Sequence, residues 1–333
     1  MIQSISDFNS ADTIKLGFDL DILNPNIDLI KSRSIESIHH KSNGIKTYLN
    51  HTDMHGFNFI QVSPDTNRAT LQLSAKILGI DYRNGINSTN IQQVTDKLNE
   101  SNLIKLNPDT FLNGDLYRYD ANRTIELSHS PDKAVKAIKI LSSKGYDFKR
   151  HPTGIDVRHQ AKTRKERLVF YGKRDELLLS ANKDFLKDYP KVLDTFTDNS
   201  LRIESGFTNH KLIRKVFEIE KKDKGIKLAE ILNSKINSLQ FMFKEISKDY
   251  NSIINTISMA ENMKTIQELI FIEKCNYDID LIMAIVDSTT KGRTNRYKAK
   301  YLDLIAKAKA NEAIEHGYNS VINDIELKLS IAV

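Results

Sequence analysis

Hydrophobic and polar residues alternate with period two through ADTIKLGFDLDIL, the pattern of a strand with one buried face. The alternation recurs in NGIKTYLNHTDMHGFNFIQVSP, read as two strands around a turn carrying His and Gly, and again in DLYRYDANRTIEL, KERLVFYGK and NSLRIESGF. In KERLVFYGK it sets Leu168 and Phe170 on one face and Val169 and Tyr171 on the other. ATLQLSAKILGI runs into the polar loop YRNGINSTN, after which NIQQVTDKLNES takes up helical spacing. In SPDKAVKAIKILSSKGY the residues Ala134, Val135, Ala137, Ile138 and Leu141 form one helical stripe, with Ser130 as N-cap, Pro131 in the first turn and Gly145 closing the helix. Residues 174–187 return to a helical pattern.

After about Asn209 the alternation gives way to long helical patterns such as KLAEILNSKINSLQFMFKEIS and NRYKAKYLDLIAKAKANEAIEHG. The expected fold is therefore α+β: an antiparallel sheet with flanking helices over residues 1–215, followed by a mostly α-helical region over 216–333. No internal repeat of fixed period is visible, although Arg118-Tyr119-Asp120 and Arg202-Ile203-Glu204 echo one another. Each triplet puts a basic residue and a carboxylate two apart, hence on one face of its strand.

Composition narrows the field. With 333 residues, 40% of them apolar, the chain can bury a large core or two domains. Its one cysteine, Cys275, permits neither an internal disulfide nor a Cys-rich zinc site, which fits a reducing, cytoplasmic compartment. No apolar run approaches the roughly 18–20 residues that span a bilayer, and MIQSISDFNS lacks the basic and apolar regions of a signal peptide; secretion and membrane insertion are not expected.

Forty-nine Lys and Arg against 43 Asp and Glu give a net charge of +6, a weak pointer to polyanions. Between Asp132 and Arg174 there are 13 basic residues against 4 acidic, a local excess larger than that of the whole chain. Lys133, Lys136, Lys139, Lys144, Lys149, Arg150, Arg158, Lys162, Arg164, Lys165, Arg167 and Arg174 would there meet a phosphate backbone, or else form a solvated face. The same two readings apply to Lys291, Arg293, Arg296, Lys298 and Lys300 at the start of a C-terminal helix.

The chain has no P-loop, GxGxxG, HExxH or GxSxG motif, which removes most support for ATP hydrolysis and dinucleotide chemistry. His39 and His40 are adjacent and His51 and His55 are four apart, so no His-x-His pair exists; the second pair lies in a turn, as scattered surface histidines do. Asp120 and Glu204, on strands of one sheet with the same face outward, could converge on a hard divalent cation, or each could pair with its neighbouring Arg118 or Arg202. Tyr171 ends an apolar strand before Gly172, Lys173, Arg174 and Glu176; a phenol needs a nearby cation to act as a nucleophile, and most tyrosines merely pack one edge.

Taken together, these segments resemble the replication initiators of filamentous phages, the gene II/X family, and more distantly the rolling-circle initiators of staphylococcal-type plasmids. ADTIKL resembles the family's start, and LQLSAKILGIDYRNGIN is similar to its Ser- and Lys-bearing segment with a Gly-Asn-type loop, here interrupted by Ile86. LYRYDANRTIEL, LVFYGKRDEL and LRIESGF are similar to its Arg-x-Asp, Tyr-x-Lys-x-x-Glu and Arg-x-Glu segments. The resemblance covers roughly residues 11–215 and lies in the order of five segments. It implies a DNA nicking and joining enzyme with Tyr171 as nucleophile and Lys173 beside it, and with Asp120, Glu176 and Glu204 holding Mg2+ or Mn2+. The implied product is a 5′-phosphotyrosine link and a 3′-OH primer for rolling-circle replication of a phage or plasmid inside a bacterial cell. The implied partners are single-stranded and duplex origin DNA, with host helicase and replication proteins, and residues 216–333 would assist DNA binding. The competing readings are a noncatalytic DNA-binding replication or copy-control protein and a transposase or relaxase with the same tyrosine chemistry.

Overall fold

A computed structural model describes residues 9–331 apart from 34–35, 40–45, 142–144, 162–165, 221–224, 255–266, 269–270, 273, 290–293 and 316. Lys144, Lys162, Arg164, Lys165, Lys291 and Arg293 lie outside the described residues, and of Arg296 only the backbone is described.

Ten strands form one antiparallel sheet. The first five are β1 (Ser10–Asp19), β2 (Glu36–His39), β3 (Lys46–His51), β4 (Phe57–Ser63) and β5 (Arg68–Ser74). The second five are β6 (Asp115–Glu126), β7 (Tyr146–His151), β8 (Gly154–His159), β9 (Arg167–Gly172) and β10 (Ser200–Phe207). Their order across the sheet is β2-β3-β4-β5-β1-β6-β10-β9-β8-β7. The two halves share one topology: a central strand, a helical crossing to the sheet edge, and a four-strand meander that returns beside the first strand. The central pair β1–β6 joins the halves, so a repeat exists at the level of topology that no fixed sequence period revealed.

The halves differ at one connection. β4 reaches β5 through residues 64–67, whereas β9 reaches β10 through residues 173–199, an excursion of two short helices and two 3₁₀ turns. Residues 174–187, expected as one helical stretch, are broken between helix Lys173–Leu177, the 3₁₀ turn Ser180–Asn182 and helix Lys183–Asp188.

One face of the sheet is covered by helices. Tyr119, Ala121, Leu168, Phe170, Leu201 and Ile203 point into a core shared with helices Pro131–Ile140, Ser238–Ile254 and Tyr318–Ser330. Phe243 meets Phe170 edge-on at 6.1 Å, and Arg123 donates to the Leu329 carbonyl at 3.1 Å. The helical region after residue 216 therefore shares the core of the sheet, while Ile272, Cys275, Ile282, Met283, Val286, Leu304 and Ile305 make a second, smaller cluster. Helix Pro131–Ile140 starts as the sequence predicts, with the Ser130 hydroxyl accepting from the Lys133 amide, but it ends at Ile140, and Gly145 instead belongs to the turn entering β7 at φ +89°. The β7–β8 hairpin is absent from the sequence reading because YDFKRH is too polar to show a buried face. No helix among the described residues is long and apolar enough to cross a membrane.

Candidate active site

The opposite face of the sheet carries the polar residues of the same strands. A one-residue bulge in β1 separates Ala11, paired with Ala121, from Thr13, paired with Asp120. Strict alternation would turn Asp12 to the side of Ile14 and Leu16; the bulge re-aims it towards Arg202. On β10, Arg202 and Glu204 share this face, and on β9 it is Arg167, Val169 and Tyr171.

Tyr171 and Glu204 meet directly: the phenol Oη donates to Glu204 Oε1. Arg202, fully buried, donates to Glu204 Oε1 at 3.3 Å, Asp12 Oδ1 at 3.0 Å, Thr124 Oγ1 at 2.9 Å and the Arg83 carbonyl at 3.3 Å. A guanidinium so enclosed needs this full set of acceptors to offset its lost hydration. Lys173, 1% exposed, donates to Glu176 Oε2 at 2.6 Å and to Tyr171 Oη at 3.4 Å, with the Tyr82 and Tyr171 rings 4.8 and 5.2 Å from its amine. Asn182 steadies Glu176 by donating to its carbonyl at 2.8 Å and to its carboxylate at 3.2 Å.

Asp12, Tyr171, Lys173, Glu176 and Glu204 line an open cleft of about 780 Å³. Its walls are the β3–β4 turn from Thr52 to Asn58, Lys76 and Tyr82 after β5, and Glu176, Asp184 and Phe185 of the β9–β10 excursion. Tyr171 is 7% exposed and reaches this cleft among charged groups rather than hydrocarbon.

Electrostatics divide the acids into two kinds. Burial, reinforced by the charge of Asp12, pushes the Glu204 carboxyl above its ordinary value despite Arg202. Burial also acts on Asp12, but Arg202 and Lys173 overcome it and hold that carboxyl below its ordinary value. Tyr171 is pushed well above 10 by burial and by Glu204, so it rests as the phenol. Burial works against the charge of Lys173, yet the neighbouring Tyr82, Glu176 and Asp12 keep it above the ordinary lysine value.

The expected metal ligands are only partly brought together. Asp120 is bound by Arg118 Nε at 2.9 and 3.0 Å, and Glu176 by Lys173, so each pairs with a basic neighbour. Among the described residues no three His, Cys, Asp or Glu side chains form a group fit to hold a metal ion. The two acids that do stand together are Glu204 and Asp12, the latter not singled out in the sequence. Both accept from Arg202, at 3.3 and 3.0 Å, and Mg2+ is commonly held by one or two carboxylates plus phosphate oxygens and water. Asp12 and Glu204 are thus the residues that could hold such an ion together with phosphate oxygens, and Glu176, paired with Lys173, does not join them.

The basic residues also separate. Lys133, Lys136 and Lys139 stand on the helix behind the sheet, with Lys136 and Arg150 both paired to Asp132. Lys149 and Arg150 lie on the outermost strand β7, exposed, and Arg174 holds the Leu193 and Phe196 carbonyls and pairs with Asp198 at 3.2 Å. Among the described residues, register puts Lys149, opposite Asp156, on the face that carries Tyr171, and two arginines, Arg158 and Arg167, lie there as well. Both bind Asp156, and with Arg118 and Asp120 they line a second cleft of about 560 Å³ that Glu204 joins to the first.

An antiparallel α+β protein with a tyrosine-carboxylate-lysine centre is the class that fold and site define. Compared with models of known protein families, with curated proteins and with solved structures, the chain matches none.

Proposed function

We propose that this protein is a replication initiator that nicks one strand of a phage or plasmid origin and later rejoins the displaced strand. The observation that carries the reading is the Tyr171 hydroxyl bonded to Glu204 with the Lys173 amine 3.4 Å away, at the wall of an open cleft. Because the phenol rests protonated, attack on a phosphodiester requires a base, and Glu204, which accepts the phenol's hydrogen bond and whose carboxyl lies above its ordinary value, is placed to take the proton. The Tyr171 oxygen bonds to phosphorus, the bond to the 3′ oxygen breaks, and Lys173 and Arg202 supply the positive charge that favours the transition state. A divalent ion held by Asp12 and Glu204, when bound, adds Lewis-acid stabilisation at the phosphate. The ester keeps the energy of the broken linkage, so a 3′-OH can reverse the step without ATP, in accord with the missing nucleotide-binding motifs.

The test is capture of the covalent product: protein incubated with its own replicon's supercoiled DNA and Mn2+ becomes attached to a 5′ end through Tyr171, located by peptide mass. Tyr171→Phe should abolish attachment while duplex binding stays within about twofold, since one phenol oxygen contributes little to phosphate-driven affinity. Attachment by Tyr171→Phe would refute the nucleophile. Tight duplex binding by wild-type protein with no attachment would favour the noncatalytic DNA-binding reading, for which the pairing of Asp120 with Arg118 and of Glu176 with Lys173 speaks.

A further inference from the structure

We propose that Lys76 is the proton donor to the departing 3′ oxygen and, during rejoining, the base that takes the proton of the attacking 3′-OH. This rests on the nicking reading above and assigns a residue that the sequence reading did not. Lys76 stands two residues beyond the end of β5, where the 3₁₀ segment Ala75–Asn84 begins, and lines the same cleft as Tyr171. Its amine is positioned from the far wall: it donates to Asn182 Oδ1 at 2.8 Å and lies 5.4 Å from the Phe185 ring centre. Asn182 is itself anchored on Glu176, so the amine hangs from the β9–β10 excursion across the cleft.

Two lysines thus share one cleft in unlike surroundings, and the difference divides the labour. Lys173 is ion-paired to Glu176 and lies against two phenol rings, which hold it charged throughout. Lys76 is in no ion pair among the described residues, and burial depresses its amine, with Lys173 adding to the effect against Glu176 and Asp12. An acid that yields its proton more readily than its neighbour is the one suited to general-acid work, and environments that push like groups apart mark such roles. The proton balance closes. The phenol proton passes to Glu204, the electron pair of the broken bond goes to the 3′ oxygen, and Lys76 protonates that oxygen, leaving a neutral amine that rejoining charges again.

A 3′-bridging phosphorothiolate separates this role from electrostatic or structural ones. Sulfur replaces the departing oxygen, and a thiol of pKa about 8.5 leaves without protonation. The substrate is an oligonucleotide spanning the nick site mapped by covalent attachment, with full-length protein and Mn2+. Lys76→Arg, which keeps the charge, and Lys76→Met should cleave the oxygen substrate about 10²–10⁴-fold more slowly than wild type yet remain within about tenfold on the sulfur substrate. Equal losses on both substrates by variants that melt like wild type, or no loss on either, would overturn the assignment. The unaltered protein gives a second reading that needs no variant: its solvent deuterium isotope effect should shrink on changing oxygen to sulfur, and an unchanged effect refutes the proton transfer. Wild-type protein that attaches to neither substrate defeats the nicking reading itself, a result distinct from any of these.

Discussion

At the scale of single residues the site works by setting like groups against each other. Asp12 and Glu204 share Arg202, but the first is held ionised and the second is pushed towards its protonated form. Activity that needs Glu204 ionised rises with pH through a value that a divalent ion on Glu204 lowers from its metal-free position, and activity that needs Lys76 protonated falls through a value below the ordinary lysine range. The expected profile of kcat/KM for covalent attachment is a bell whose basic limb is drawn in by the depressed Lys76 amine. Glu204→Gln should remove the acid limb and slow attachment by about 10²–10⁴-fold; an acid limb that survives the substitution would assign it to another group. Tyr171, Lys173 and Glu204 were singled out in the sequence by the resemblance of their strings to a known family's segments, and the fold brings the three together. Asp12 was not, because in ADTIKL it sits at an apolar-phase position and only the bulge turns it round. Lys76 and Tyr82 lie in LQLSAKILGIDYRNGIN, a string that the sequence marks by resemblance without giving either residue a role, because what each faces is set by the β9–β10 excursion.

The elements of the sheet explain where the cleft lies. Two halves of the same topology meet at β1–β6, and only the second carries a long connection between its last two strands. That connection supplies Lys173, Glu176, Asn182 and Phe185, so the site exists where the repeat is broken. The facing wall is the β3–β4 turn, which packs on the 3₁₀ segment through Gly56. Its φ is +79°, and a Cβ there would fall 2.0 Å from the Ile77 amide nitrogen. Gly56→Ala should therefore lift the turn off the Lys76 segment, lowering stability by about 1–3 kcal/mol and attachment activity more than tenfold. Denaturant unfolding and the attachment assay check this, and an unchanged midpoint would mean the turn is not seated as described. Strand alternation made most of these elements legible beforehand; the β7–β8 hairpin was missed because its edge strand offers only Tyr146 and Phe148 to the core, too few apolar positions to show the period.

Across the whole molecule, helices Ser238–Ile254 and Tyr318–Ser330 are part of the sheet's core. Met242, Phe243, Ile246, Val321, Ile322, Ile325 and Leu329 are buried in the same cluster as the sheet residues. A chain ended at residue 215 should lose its cooperative melting transition, because the apolar face around Phe170 and Ile203 would be bare to water. A truncated protein that melts cooperatively near the full-length temperature would show that the sheet stands alone. Helical periodicity announced these elements, but not what they pack against, since amphipathic spacing records that one side is buried and leaves its partner unstated. The +6 charge likewise located basic segments without sorting them: Arg158 and Arg167 reach the nucleophile's face, whereas the Pro131–Ile140 lysines stand behind the sheet. By itself the amino-acid order determined the α+β class, most strand and helix positions and the tyrosine-centred motif, because periodicity and short strings are local properties of a chain. Only the tertiary structure decided that Asp12 joins Glu204, that Asp120 and Glu176 keep basic partners, and that Lys76 crosses the cleft. Asp12 reaches Arg202 and Lys76 reaches Asn182 across more than a hundred positions, whereas Asp120 and Glu176 take partners two and three residues away; strand register and one bulge set the distant pairings.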